Sequence, residues 1–186
     1  MALRIGSKAP EFKTRDQDGK EISLAGLKGK KFVLYFYPKD MTPGCTAEAC
    51  NLRDNYSALQ KAGYEIFGIS SDDEKSHQKF IAKEKLPFRL LADTDKSVHA
   101  KFGTWVEKSM YGRKYMGTAR VTYVIDGNGV IENIIDKVDT KDHAAQILGK
   151  PAAAPSAKKA VKSKPARKPK KAAKKAPAKK AAKKKK

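Results

Sequence analysis

Cysteine is scarce in this chain: there are two, Cys45 and Cys50, among 186 residues, and both lie in one short segment. Histidine is nearly as rare, and His77, His99 and His143 are scattered through the sequence. None stands at zinc-ligand spacing beside the cysteines, which argues against a zinc centre. No other cofactor signature is present, so no metal or cofactor is expected. No run approaches the ~20 apolar residues needed to span a bilayer, so no membrane span is expected. The first eight residues, Met1 to Lys8, contain no apolar stretch of signal-peptide length. The expected location is therefore cytoplasmic, where thiols start reduced and a close cysteine pair reads as catalytic rather than structural.

Acidic residues are absent from one region. Residues 151 to 186 hold fifteen Lys, one Arg, no Asp or Glu and no aromatic residue, a charge of +16 out of the chain's +21. Pro151, Pro155, Pro165, Pro169 and Pro177 interrupt the Lys/Ala blocks. Like-charge repulsion and proline oppose helix there, and with Val161 as the one large apolar residue the segment cannot build a core. It is expected to be a disordered basic tail, similar in composition to those of linker-histone-like proteins. Residues 1 to 150 are near charge balance and long enough to bury roughly two-thirds of their unfolded surface, so they are read as one globular domain.

Within that domain the most informative words are Lys31-Phe32-Val33-Leu34-Tyr35-Phe36-Tyr37 and the segment after them. The run is apolar and reads as a buried strand. Pro38 cannot continue a sheet ladder. Pro43 and Gly44 mark a turn, and the helix that follows is expected over about 44 to 62. Cys45 therefore falls in the first helical turn, where unpaired N–H groups and the macrodipole favour a thiolate. A cysteine of ordinary acidity is about 3% thiolate at pH 7, so full ionisation gains at most about thirtyfold. Fast chemistry needs further groups that orient a substrate and stabilise charge. Thr42 and Glu48 lie within reach, Pro38 can wall off water, and Arg120 opens the apolar run Val121 to Ile125. Cys50 lies five residues on, about 8.6 Å from Cys45 at Cα on an ideal helix. A disulfide usually needs less than about 7 Å, so pairing the two requires the first helical turns to unwind.

Elsewhere the pattern gives short strands at 12 to 14 and 21 to 24 around the turn Asp16-Gln17-Asp18-Gly19, and a strand at 64 to 70. A helix is expected over 73 to 85, a short strand at Leu90-Leu91 and a short helix over 96 to 102. The stretch 105 to 118 reads as a loop or exposed hairpin, 120 to 135 as a hairpin, and 140 to 149 as the last helix. Strand, helix, strand at this spacing gives parallel strands, hence an α/β fold with a mixed sheet flanked by helices.

Pro38-x3-Thr42-x2-Cys45, with Glu48 and Cys50 following, resembles the peroxiredoxins, and most closely their bacterioferritin-comigratory, or peroxiredoxin Q, subfamily. Gly6-Ser7-Lys8-Ala9-Pro10-Glu11-Phe12, Tyr35-Phe36-Tyr37-Pro38, Leu52-Arg53-Asp54, Gly68-Ile69-Ser70 and Phe102-Gly103 extend the likeness over about residues 3 to 149. The resemblance implies a thioredoxin-like fold and thiol-dependent reduction of hydrogen peroxide and organic hydroperoxides. It implies that Cys45 becomes a sulfenic acid, that Cys50 resolves it as an intramolecular disulfide, and that thioredoxin or a similar dithiol reduces the pair. Thr42 and Arg120 would hydrogen-bond peroxide and thiolate, Pro38 would shield them, and Glu48 would orient the arginine. An intrachain disulfide requires no partner subunit, so a monomer suffices.

Three other readings stand beside this one. The cysteines could be inert buried thiols, although their strand–turn–helix placement argues otherwise. Thioredoxin-type disulfide exchange usually has two residues between its cysteines, whereas four intervene here. The chain could also be a polyanion- or DNA-binding protein whose redox-active domain senses or exchanges disulfides. In either case the tail lysines, among them Lys158, Lys159, Lys170, Lys171, Lys174, Lys175, Lys179 and Lys180, would neutralise phosphates without reading bases, and could place the protein on the nucleoid. The histidines and Trp105 read as packing or surface residues, and Thr42 also reads as a helix N-cap.

Overall fold

The computed structural model describes residues 3 to 110 and 112 to 149; the expectations for the basic tail lie outside the described residues. Among the described residues, nine strands and five α-helices run in the order β1 (Lys13–Asp16), β2 (Glu21–Ser23), β3 (Lys31–Phe36), α1 (Pro43–Asp54), α2 (Tyr56–Lys61), β4 (Tyr64–Ser70), α3 (Glu74–Glu84), β5 (Arg89–Ala92), α4 (Ser97–Phe102), β6 (Trp105–Met110), β7 (Arg113–Thr118), β8 (Val121–Ile125), β9 (Ile131–Ile135) and α5 (His143–Ile147). Seven strands form one sheet in the order β2-β1-β5-β4-β3-β8-β9. The β3–β4 and β4–β5 pairs are parallel, and β8 runs antiparallel to β3. This is the mixed, helix-flanked sheet of the thioredoxin-like peroxiredoxin fold that the sequence led us to expect.

Strand β3 is central because it is apolar on both faces. Its alternation splits the core in two. Val33 and Tyr35, with Tyr37 beyond the strand, join Leu52, Leu59, Phe80 and Ile147 from α1, α2, α3 and α5. Phe32, Leu34 and Phe36 join Phe12, Val98 and Phe102 on the other face, under α4. Each fully buried Phe or Leu contributes about 1.5–3 kcal/mol through apolar surface removed from water. Gly68 on β4 has to be small: a Cβ there would meet the Tyr35 ring and Leu90 at 2.6 Å. Tyr35 thus lies across β4, with the hydroxyl end of its ring over Gly68.

Two elements differ from the sequence expectation. The helix expected over 44 to 62 is two helices, broken at Asn55, whose φ/ψ of −106/10 leaves the helical region. The Asn55 side chain and backbone N–H both donate to the Asn51 carbonyl, at 2.9 and 3.2 Å. This is the local side-chain competition that makes Asn a poor helix-interior residue. The last helix is shorter than expected, and its start is set by α1. Asn51 accepts the Ala144 N–H at 2.8 Å and donates to the Lys141 carbonyl at 2.6 Å. Stretch 105 to 118 is the hairpin alternative, β6 pairing with β7 as a separate two-stranded sheet.

All three histidines are buried. His99 is held by Asp93, which accepts from its Nδ1 at 2.5 Å and from its backbone N–H at 2.8 Å. The same carboxylate accepts the Val98 N–H and so caps α4. Burial works against ionisation of Asp93, but the hydrogen bonds from His99 and Val98 outweigh it and pull its pKa to about 2, from 3.8. The stability this supplies is complete above 3.8 and is lost as pH falls towards about 2. Asp93→Asn should therefore cost about 2–3 kcal/mol at pH 7. Thermal melts should show that deficit shrinking between pH 4 and pH 2; a deficit of constant size would contradict the assignment.

Candidate active site

The turn between β3 and α1 is clamped from below. Asp40 is buried, its N–H donates to Asp72 at 2.8 Å, and its carboxylate accepts from Tyr37 and Ser76, each at 2.7 Å. His77 Nδ1 lies 2.9 Å from the same carboxylate and its Nε2 3.2 Å from the Leu91 carbonyl. Burial acts to raise the Asp40 carboxyl, but His77, Tyr37 and Ser76 hold it below its ordinary value. The anchored turn accommodates Met41 at φ +57, a left-handed conformation that costs a non-glycine residue energy.

Thr42 follows in extended conformation as the N-cap residue, with Pro43 at the first helical position, where its missing N–H costs nothing. The Thr42 hydroxyl makes no capping bond; it donates to the Lys39 carbonyl at 3.2 Å. Pro38 is half-buried where β3 ends. Cys45 is one turn into α1, 2% exposed, and a free thiol.

Three of the residues named from sequence meet directly. Arg120 Nη2 donates to Cys45 Sγ at 3.3 Å, and Arg120 Nη1 is hydrogen-bonded to Glu48 Oε2. The guanidinium lies against the start of α1: a Cβ at Gly44 would stand 3.5 Å from Nη2, an ordinary contact distance. Cys45 and Glu48 are three apart on α1 and so share a face, while Arg120 reaches them from the start of β8. Burial acts against the arginine's charge, but Glu48 and Cys45 hold its pKa above the ordinary value. Glu48 is fully buried, which pushes its carboxyl up to about 7 despite the opposing pull of Arg120.

Sequence reasoning missed the far side of this carboxylate. His143 Nδ1 lies 3.2 Å from Glu48 Oε1, and His143 Nε2 lies 2.9 Å from the Thr122 hydroxyl. Burial, and then the positive charge of Arg120, push the His143 pKa down to about 3. The imidazole is therefore neutral, and packs edge-on against the Tyr35 ring, with centroids 6.0 Å apart. The histidine read as a packing or surface residue borders the site because Asn51, one turn after Glu48, ties α5 to α1. No local pattern around residue 143 carries that information.

Cys50 is placed apart. It is half-buried, and its Sγ donates to Glu84 Oε2 of α3 at 3.6 Å. Five residues at 100° per residue set it about 140° around α1 from Cys45. Among the described residues there is no cluster of three or more His, Cys, Asp or Glu suited to a metal ion, and no helix long and apolar enough to cross a membrane. The arrangement buries one sulfur beside a cationic donor and sets a second thiol further along the same helix, on another face.

Residues 5 to 134 match the AhpC/TSA family. The chain is 44% identical over 146 residues to peroxiredoxin Bcp of Escherichia coli K12, covering 78% of this chain and 94% of the relative. It is 43% identical over 148 residues to peroxiredoxin Bcp of Bacillus subtilis, covering 80% and 94%. The bacterioferritin comigratory protein of Xanthomonas campestris, whose structures address its alkyl peroxide reduction activity, superposes with a TM-score of 0.70 at 34% identity, over 74% of this chain and 88% of that one. A Cys-to-Ser mutant of Xylella fastidiosa PrxQ superposes with a TM-score of 0.75 at 27% identity, over 80% and 95%. With an arginine set between a buried helix-start thiol and a buried carboxylate, and with these likenesses in sequence and fold, the chain belongs to the AhpC/TSA family and to its Bcp, or peroxiredoxin Q, branch.

Proposed function

We propose that this protein is a thiol peroxidase that reduces hydrogen peroxide and organic hydroperoxides through Cys45, with Cys50 as the resolving thiol. The observation that carries this reading is the Arg120 guanidinium 3.3 Å from Cys45 Sγ. A cationic donor at that distance stabilises a thiolate and can also bind a peroxide oxygen. The Cys45 thiolate attacks one peroxide oxygen, the O–O bond breaks, and Cys45 is oxidised to S–OH while the alkoxide or hydroxide leaves and takes a proton. Arg120 is placed to meet the charge that moves onto the leaving oxygen. Glu48 holds Arg120 from the side away from the sulfur. Thr42 stands one turn before Cys45, where its hydroxyl is a donor and acceptor for peroxide, and Pro38 limits water. The alkyl peroxide activity of the Xanthomonas relative supports organic hydroperoxides as substrates.

Cys50 then attacks the Cys45 sulfur, the S–O bond breaks, and water leaves. Helix α1 contains both cysteines, so its first turns unwind before the disulfide closes. Thioredoxin or a similar dithiol reduces the bond by exchange. No step needs a cofactor or a second subunit.

The basic tail supports a tether. The matched regions of the relatives leave about a fifth of this chain unmatched, and residues 151 to 186 carry sixteen basic and no acidic side chains. A lysine-rich segment without aromatics neutralises phosphates non-specifically, so the tail holds the peroxidase on DNA or another polyanion.

Stopped-flow mixing of reduced protein with peroxide tests the chemistry. Cys45→Ser should abolish peroxide consumption, and Cys50→Ser should give one turnover that stops at sulfenic acid. Undiminished turnover in Cys45→Ser would overturn the reading. Arg120→Gln should slow the first step by about 10²–10³-fold, the cost of removing a preorganised donor from charge development. An unchanged rate would remove Arg120 from the mechanism. For the tail, gel shifts should show full-length protein retarding DNA with a steep salt dependence, a log–log slope near −0.9 per phosphate neutralised. A 1 to 150 truncation should keep peroxidase activity and lose retardation; equal retardation by both would exclude the tail.

A further inference from the structure

Helix α1 is fixed along its second face by contacts that the first chemical step does not use. The Cys50 thiol donates to Glu84 Oε2 at 3.6 Å, and one turn on, Arg53 Nη1 donates to the Glu84 backbone carbonyl at 2.6 Å. Residue 84 closes α3, so its carbonyl is one of the unpaired groups of a helix end. Glu84 therefore receives α1 twice, once through its side chain and once through its backbone. Asp40, which anchors the turn before Cys45, is bonded to Ser76 and His77 of the same α3. One helix thus holds α1 on both sides of the segment that has to unwind.

We propose that Glu84 is a positioning residue for the resolving step: its carboxylate latches Cys50 to α3 as a thiol, and releasing the latch limits the rate at which the Cys45–Cys50 bond forms. This inference rests on the peroxidase reading above. The latch exists only in the ground state. Forming the S–S bond consumes the S–H that Glu84 accepts, whichever turn of α1 unwinds. An interaction present before a step and absent at its transition state slows that step. The charges around Cys50 act in the same direction. Burial raises its pKa most, Glu84 and Asp54 add to that, and Arg53 opposes them. The resolving sulfur is kept protonated until α1 frays, and the proton is then carried away with the departing hydroxide as water. A slow second step leaves the Cys45 sulfenic acid exposed to another peroxide, which would oxidise it to the sulfinic acid while being reduced to alcohol or water.

Rapid-quench mass mapping of reduced protein mixed with hydrogen peroxide separates loss of the Cys45 thiol from appearance of the disulfide. Glu84→Gln and Glu84→Ala should leave the first step unchanged. They should speed the second by about threefold to tenfold, the span produced by one lost hydrogen bond, and lower the yield of sulfinic acid at high peroxide. Both variants retain the backbone carbonyl that Arg53 uses, and Glu84→Gln retains the side-chain shape, so both should fold, with thermal melts lowered by no more than one lost hydrogen bond accounts for. As a second readout, alkylation of Cys50 in a Cys45→Ser background should move to lower pH when Glu84→Gln is added. A second step that is unchanged or slower, or an unmoved alkylation profile, overturns the latch. A first step missing from wild type overturns the peroxidase reading, and the latch with it.

Discussion

The site depends on a single guanidinium held between a sulfur and a carboxylate. Arg120 is hydrogen-bonded to both Cys45 and Glu48, and it stands just before β8, 75 residues along the chain from the cysteine it faces. Placing that charge out of water costs energy unless it is paired. The pairing fixes the surrounding structure: α1 must turn Cys45 and Glu48 inward together, and β8 must lie antiparallel beside β3 so that Arg120, the residue just before it, reaches the start of α1. Glu48 in turn carries a cost, since a carboxyl pushed up to about 7 is only partly ionised near neutrality. Its second oxygen faces a neutral His143 rather than a second cation. The guanidinium charge is thus shared towards the sulfur instead of being cancelled.

Helix α1 has two faces with different duties. One presents Cys45, Glu48 and Leu52 to the sheet and to α5. The other presents Cys50 and Arg53 to the end of α3. On the proposed mechanism α1 has to be rigid for the first step and pliable for the second. Pliability is available because α1 stops at Asn55 rather than running on to residue 61, so it is a three-turn helix whose stability comes from tertiary contacts more than from its own propagation. The rigid state is maintained by the anchored turn at Asp40, by the arginine, and by Asn51 at the start of α5.

What was legible in the sequence was local. An apolar run stopped by Pro38, then a Pro-Gly turn, then a cysteine places that cysteine at a strand–helix junction on backbone rules alone. The β3 alternation and the parallel β3–α1/α2–β4 unit follow from the same rules. Arg120 was marked by family resemblance, because nothing near residue 120 says that β8 pairs with β3. His143 and Thr122 were unreadable for the same reason: they join the site through tertiary packing, with His143 lying 95 positions after Glu48 in the chain. The break at Asn55 was missed because helix propensity over 44 to 62 hides one side chain that competes for the Asn51 carbonyl. Nothing in the local sequence marks Glu84, and its contact with Cys50 emerges only when α1 and α3 pack.

The central proposal is that Arg120, donating to Cys45 Sγ at 3.3 Å, stabilises that sulfur as the attacking thiolate. Ultraviolet thiolate absorbance at neutral pH, measured in a Cys50→Ser background so that Cys45 alone contributes, tests it most directly. The account predicts a clear thiolate signal that drops when Arg120→Gln is added. Equal signals with and without the arginine would contradict it.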